Sequence, residues 1–522
     1  MKKTSAPAPD GTLDTSLRRF LYFTAAVNGA AILIVEILGA KMLSPYVGTS
    51  HFVWTAQIAV TLVSLACGYW FGGWLVDRSH RLGRLYGCVL LAAVYLAATV
   101  PAVEPVAYWC LGFKLAVGAL LASLFLFFVP LTLLATTGPF LVRVLTQSVV
   151  GVGGQVGRLS AVSTMGSVLG TVLIGYVLIP FLPNSVTMFS TAGALMVLAS
   201  AYFFGWGRKS GDQMGVAVTI IIGLLVGYSG VVKDRRTEFS GGVQIFRGNS
   251  NFGQLQVLQT KLGDRLYYLN DYLTQNGYDP DHKKSINMFT YMLHDLARAY
   301  APRVDNVLCI GMGVGIVPMQ FAREGAKVDV VEINAAVVPV AEQFFNFEPQ
   351  LVNIVIGDGR QFLNQGARKY DAVILDAFLG DSSPSHLMTR EAFSAMGRVL
   401  KPGGVLVINS FADFDPGKDF FAASLHKTLK AAFKSVLIHA DGRGNTFFVA
   451  SDAPSLALRG EPELEPIHPT CRDRVADAFR TLQQTDPKHG IVLTDDFNPV
   501  EFHDAANRET LRRNLAFGMK ER

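Results

Sequence analysis

The run VDNVLCIGMGVGIVPMQFAREGAKVDVVEIN (304–334) decides the fold of the second half of this chain. VDNVLCI (304–310) is an apolar β run, GMGVG (311–315) follows at once, and VPMQFAREG continues as a helix. KVDVVEIN (327–334) is the next strand and carries Glu332. A glycine loop between strand and helix lets backbone approach a ligand closely, and an acid about 20 residues on can accept both hydroxyls of a ribose. A glycine triplet alone is weak evidence, because glycine turns also arise by chance. Here the spacing, the acid and the next two strands agree: NIVIGD (353–358) ends in Asp358 and YDAVILD (370–376) ends in Asp376. The pattern predicts a nucleoside site in a doubly wound sheet.

Further along, GGVLVINS (403–410), KSVLIHA (434–440) and NTFFVAS (445–451) bring the sheet to about seven strands. Helical runs separate most of them, which argues for parallel pairing. The last two are separated only by DGRG and should form an antiparallel hairpin at the edge. Seven strands with a terminal hairpin predict a Rossmann-like α/β domain of methyltransferase type rather than a dinucleotide dehydrogenase. In such open sheets ligands sit at the carboxyl ends of the strands. Gly311, Gly313, Gly315, Glu332, Asp358 and Asp376 all occupy such ends. Each acid alone is equally well a helix cap or a solvated turn, but four strand ends converging on one crevice favour a site. An Asp deep in that crevice can serve as a proton acceptor. Before this sheet, GGVQIF, GQLQVLQT and DRLYYLND (within 241–271) alternate as strands do and predict a small β domain over 240–280. A helical stretch is expected at about 283–300, and the nucleoside-binding domain spans 281–522.

The first half is of another kind. Half of the 522 residues are hydrophobic and only 17% are charged, an average that hides a split near residue 233. A bilayer-spanning helix needs about 20 mainly apolar residues. Seven runs qualify, at 20–40, 52–76, 84–102, 114–136, 160–182, 185–206 and 214–232. They predict a multi-pass α-helical membrane domain over 20–232 behind a tail at 1–19, and localisation in the cell (inner) membrane. Gly166, Gly170 and Gly175 are spaced for close helix packing. Glu36 lies inside the first span, where a carboxyl is costly and either functional or turned to the bundle interior. Lys2, Lys3, Arg18 and Arg19, the arginines at 78, 81, 84, 143 and 158, and Arg208 with Lys209 all fit a cytoplasmic amino terminus. Seven spans would then put the second half outside, whereas nucleoside cosubstrates are cytoplasmic and Lys233, Arg235 and Arg236 follow the last span. The cosubstrate argument places the second half in the cytoplasm, with a miscount expected in the poorly divided 105–160 region. Five scattered cysteines indicate neither a disulfide framework nor a zinc site, and no basic run suggests nucleic acid.

The order of small β domain, GMGVG, VVEIN, IGDGRQF and YDAVILD resembles the spermidine synthases, the polyamine aminopropyltransferases, over about 240–450. DAFLGDSSPSHLMTREAF (376–393) and LTDDFNPVE (493–501) are similar to runs of the bacterial subgroup fused behind a multi-pass membrane domain. The resemblance implies transfer of an aminopropyl group from decarboxylated S-adenosylmethionine to a putrescine-like amine. Methylthioadenosine leaves, and no metal or permanently bound cofactor takes part. It puts Glu332 on the ribose, Asp358 and Gly359 beside the adenine, Gln254 on the nucleoside, and Asp376 where the proton of the attacking amine goes. Asp381, Tyr291 and Gln275 would contact the acceptor, and a homodimer is the family expectation. The departures concern the acceptor. Val314 stands where the family has an Asp facing the aminopropyl amine, and Leu379 where it has a second acid. The family's Tyr-His-Glu motif has no clear match here; Tyr291 and His294 are near it but spaced differently. Asp495 and Asp496 are the remaining acids and read most simply as an exposed turn. Loss of the first Asp would also admit intact S-adenosylmethionine. The alternatives are therefore a methyltransferase of a lipophilic acceptor, or a polyamine sensor or transporter without turnover. Sparse buried charge in the spans speaks against transport.

Overall fold

The computed structural model describes residues 14–48, 51–146, 152–207, 213–234, 238–239, 242–271, 273–366, 369–378, 384–440, 444–486 and 488–500, with 442, 502 and 513. The described residues fall mainly into two compact units, the apolar helices ending at Asp234 and the chain from residue 238 on.

In the first unit seven helices are long and apolar enough to cross a membrane: Thr15–Val47, His51–Arg78, Leu82–Cys110, Leu115–Leu145, Val152–Phe181, Asn184–Gly205 and Gln213–Gly230. The miscount expected in the 105–160 region does not appear among the described residues: seven such helices are found, one ending at Leu145 and the next beginning at Val152. Small residues set the packing. A Cβ on Gly166 would collide with the Ala26 backbone, and one on Gly170 would lie 2.7 Å from Ala30 Cα, whereas Gly175 has open space around it. Two of the three glycines thus let the Val152–Leu173 helix lie against Thr15–Val47 at backbone distance. Some polar groups inside the bundle pair between helices: Asn28 Nδ2 donates to the Leu134 carbonyl at 3.0 Å, and the Thr24 and Tyr86 hydroxyls are 2.8 Å apart. Glu36 is half-buried on the first helix.

The second unit begins with an antiparallel meander of six strands: β1 Glu238–Phe239, β2 Gly242–Ser250, β3 Gly253–Thr260, β4 Leu266–Asn270, β5 Leu273–Asp279 and β6 Lys284–Ser285. The helix expected from 283 begins only at Met288, because Lys284 and Ser285 pair with Asp279 and Tyr278 as β6.

The main sheet follows: β7 Asn306–Ile310, β8 Lys327–Glu332, β9 Asn353–Ile356, β10 Tyr370–Leu375, β11 Leu400–Phe411, β12 Ser435–Ala440 and β13 Asn445–Ser451. Its order is β12-β13-β11-β10-β7-β8-β9, parallel except at β13, which runs antiparallel to both β11 and β12. The edge hairpin is where the DGRG turn placed it. Most residues of β7, β10 and β11 are buried on both faces, so these strands read as unbroken apolar runs rather than alternating ones. Two core clusters cover the two faces, one around Met292, Phe321 and Phe447, the other around Phe393, Phe421 and Phe448. From β7 the chain winds outward through β8 and β9, then returns to β10 on the other side. The switch point lies between β7 and β10, where a doubly wound sheet opens its ligand crevice.

Candidate active site

Backbone geometry builds the crevice first. Gly311, Gly313 and Gly315 have φ of +86°, +53° and +81°, a region open to glycine and costly for other residues. At Gly311 a side chain would also strike the Asp376 carbonyl, so the ends of β7 and β10 meet only because no Cβ intervenes. Gly313 has open space where its Cβ would be and lies on the crevice wall. Gly315 caps the Ile316–Arg323 helix against Phe347 and is not part of the wall.

Three acids face the resulting cavity of about 430 Å³. Glu332 ends β8 and is buried. Its Oε2 accepts from Met312 N at 2.9 Å and its Oε1 from Asn334 N at 2.7 Å. Burial raises its pKa, and the backbone donors oppose that shift. Each oxygen keeps a lone pair for a further donor. Asp358 caps the short Gly359–Asn364 helix by accepting from Gln361 N at 3.0 Å, and its other oxygen is 2.9 Å from His386 Nε2. Burial would raise its pKa, but these partners hold the carboxyl below its ordinary value. Asp376 follows β10 at the switch point. Its backbone N–H donates to Ile310 O at 3.0 Å. Burial pushes its pKa up to about 6, while Asn409 Nδ2, donating at 2.8 Å to Oδ1, favours the charged form. Asn409 is held in turn by Asn445 Nδ2, which donates to its Oδ1 at 2.9 Å. A carboxylate fixed by an amide pair and titrating near neutrality suits proton acceptance.

The structure therefore brings Gly311, Gly313, Glu332, Asp358, Gly359, Asp376 and Gln275 around one cavity. Besides Gly315, two expected members are elsewhere. Gln254 is not on the wall. Its side-chain oxygen lies 2.8 Å from Arg247 Nε in the amide orientation that satisfies both groups, and its backbone N donates to Asp271. Side chains on a strand alternate between faces, and Gln254 falls on the face away from the crevice. Tyr291 is buried, donates to Ser285 O at 2.7 Å and accepts from His468 N at 3.3 Å. Its helix turns Phe289 and Thr290 to the cavity instead. Asp381 and Leu379 lie outside the described residues. Val314 is wholly buried in the core, and Asp495 is engaged by Arg360 at 2.8 Å and Thr389 at 2.6 Å, so neither brings charge to the cavity.

The sequence reading missed Asn270, Asn276, Asn287, Asn409 and Asn445, with Phe252, Phe289, Phe378 and Phe411, all on the wall. Asn409 carried a signal, a polar residue ending the apolar run VLVI, but only acids were sought at strand ends. The small-sheet residues carried none.

Fold and crevice together define a spermidine synthase-like Rossmann-type domain with a mixed sheet. Residues 287–438 match the Spermine/spermidine synthase domain. Among curated proteins, the chain is 36% identical over 141 residues to a polyamine aminopropyltransferase of Vibrio vulnificus, covering 26% of this chain and 46% of that protein. It is 30% identical over 172 residues to putrescine N-methyltransferase 2 of Nicotiana attenuata, covering 31% and 44%. The chain spans about half the length of the curated relatives it matches. Among solved structures, spermidine synthase of Thermotoga maritima aligns over 52% of this chain and 88% of that one, with 19% identity and a TM-score of 0.35.

Proposed function

We propose that this protein is a membrane-held alkyl transferase that moves an aminopropyl group from decarboxylated S-adenosylmethionine to an amine. The observation that carries the reading is Asp376. It stands at the switch point, beside the glycine turn, in a cavity whose other acids are those suited to a nucleoside. In this reading Glu332 takes the ribose hydroxyls with its two remaining lone pairs. Asp358 and Gly359 flank the adenine, with Gly311 and Gly313 letting the donor approach the backbone. The unprotonated acceptor nitrogen attacks the methylene carbon attached to sulfur. The carbon–sulfur bond breaks, methylthioadenosine leaves with the electron pair, and the proton released from nitrogen passes to Asp376. The sulfonium is already a good leaving group, so the protein's contribution is alignment and a proton acceptor.

A second reading is favoured by a specific feature. Val314 and Leu379 stand where the resemblance puts the two acids that hold the amine ends. Val314 also leaves intact S-adenosylmethionine unrepelled. Methyl transfer to an amine or a lipophilic acceptor is the alternative, and some relatives carry the name putrescine N-methyltransferase. Purified protein incubated with each donor and putrescine, with products resolved by mass spectrometry, separates the two. An aminopropylated product supports the first reading, a methylated product the second, and neither product with any amine tested removes both.

The seven apolar helices support a bilayer partner and inner-membrane localisation. We place the transferase domain in the cytoplasm, where its donor is made; with seven spans this puts the amino terminus outside, against the cytoplasmic amino terminus that the loop charges favour. Reporter fusions at both termini test this. A cytoplasmic amino terminus with an external carboxyl terminus would contradict it. A homodimer, also inferred from the resemblance, is read from the mass of the detergent-purified protein.

A further inference from the structure

Away from the crevice, a second group of chemically able side chains comes together from distant parts of the chain. Asp279 ends β5, His282 lies in the turn to β6, and His468 precedes the Arg472–Arg480 helix. One ligand atom from each lies within 4.8 Å of the others. His282 Nδ1 is 2.9 Å and His468 Nε2 3.2 Å from the same carboxylate oxygen, Asp279 Oδ2. We propose that Asp279, His282 and His468 form a site for a divalent metal ion of the zinc class.

The ligand chemistry selects the ion. Two imidazoles and one carboxylate suit zinc, cobalt or nickel, whereas magnesium and calcium ask for oxygen. Bonds of about 2.0–2.1 Å at tetrahedral angles put neighbouring donor atoms roughly 3.3 Å apart. The two separations from Asp279 Oδ2 are already close to that. The donors are also oriented from behind, as metal ligands usually are. His282 N donates to Asp279 Oδ1 at 2.9 Å, closing the turn that brings the ring over the carboxylate. His468 Nδ1 lies 2.7 Å from Thr470 Oγ1 and accepts from Thr470 N at 3.3 Å, so the neutral ring carries its proton on Nε2 toward Asp279, and an ion bound there displaces that proton. The His282 side chain is 67% exposed, so ions reach this ligand from solvent.

The placement sets the role. His468 is separated from Asp279 by 189 residues, and an ion held by all three ties the small sheet to the segment leading into the Arg472–Arg480 helix. Tyr291 already links these parts through Ser285 O and His468 N. The site lies outside the transfer crevice and does not depend on the reaction proposed for it. Its ion joins two distant segments of the chain, with three protein ligands and solvent on the fourth side.

The test uses tag-free full-length protein, purified in detergent, stripped with chelator and titrated with Co²⁺. The expected result is one Co²⁺ per chain with the visible absorption of a four- or five-coordinate ion, displaced by Zn²⁺. Zinc should also raise the thermal midpoint. His282→Ala and His468→Gln should each weaken Co²⁺ binding roughly tenfold or more. Because His282 is exposed, His282→Ala should fold as the parent does, and methylthioadenosine binding reports that it has. Absence of Co²⁺ and Zn²⁺ binding at micromolar metal, or unchanged affinity in His282→Ala, would overturn the site.

Discussion

Glu332 and Asp358 meet the crevice with their oxygens already held by Met312, Asn334 and Gln361 backbone N–H groups, whereas the small sheet and the following helix present Asn270, Gln275, Asn276, Asn287, Phe252 and Phe289. The first wall consists of strand ends and glycine turns, with its charge fixed by the backbone. The second consists of neutral amides and rings, of which Asn287 and Asn276 also hold the small sheet, accepting from Gly277 N at 2.6 Å and from Ser285 Oγ at 3.3 Å. Under the proposed function, the contrast makes the donor site a property of the sheet and the acceptor site an addition to it. The same sheet can then serve different acceptors by changing the second wall alone.

Asp376 stands between the walls, and its removal should have the largest effect. Asp376→Asn is expected to lower kcat by about 10²–10⁴-fold, the usual range for a proton-transfer group, with donor affinity nearly unchanged. If turnover survives, the boundary between the walls is drawn in the wrong place. Glu332→Ala acts on the first wall alone. Losing hydrogen bonds to a charged group costs about 1.5–3 kcal/mol, so methylthioadenosine should bind roughly 10- to 150-fold more weakly. Wild-type affinity in a calorimetric titration would remove the ribose assignment.

A smaller effect concerns pH. With its pKa near 6, Asp376 accepts a proton only when ionised, so kcat/KM should fall as pH drops below about 6. Asn409→Ala removes the donor that favours the carboxylate and should move this acid limb to higher pH; a limb that stays put would mean the amide pair does not tune Asp376. The same shift has a stability consequence. The folded pKa lies above the ordinary value of 3.8, so the stabilisation from the protonated form is complete below about pH 4 and is lost as pH rises through about 6. Asp376→Asn should therefore raise stability at pH 7 by about 1–3 kcal/mol and leave it unchanged near pH 3. Thermal melts at the two pH values check the sign.

How much of this could be read from sequence follows from the same division. Gly311, Gly313, Glu332, Asp358 and Asp376 stand at ends of strands that announce themselves as apolar runs, so their convergence follows from the topology of the sheet. The second wall has no such signature. In an antiparallel meander a shift of one residue turns a side chain to the opposite face, so the resemblance alone does not fix which way Gln254 points. Phe252 and Asn270, its neighbours in the meander, are the ones on the cavity wall. Tyr291 failed for the helical version of the same reason: each step along a helix turns the side chain by about 100°. Thr290 thus faces the cavity while Tyr291 bonds Ser285 and His468. The late start of the helix at Met288 was hidden because the two-residue strand β6 is specified by pairing with β5 and by no pattern of its own.

The central claim is that the first wall is a nucleoside site, and calorimetry of the purified protein with methylthioadenosine, decarboxylated S-adenosylmethionine and S-adenosylmethionine tests it most directly. Saturable binding of methylthioadenosine and at least one donor, weakened together by Glu332→Ala, is the predicted result. Absence of binding by all three, or binding indifferent to Glu332→Ala, would contradict it.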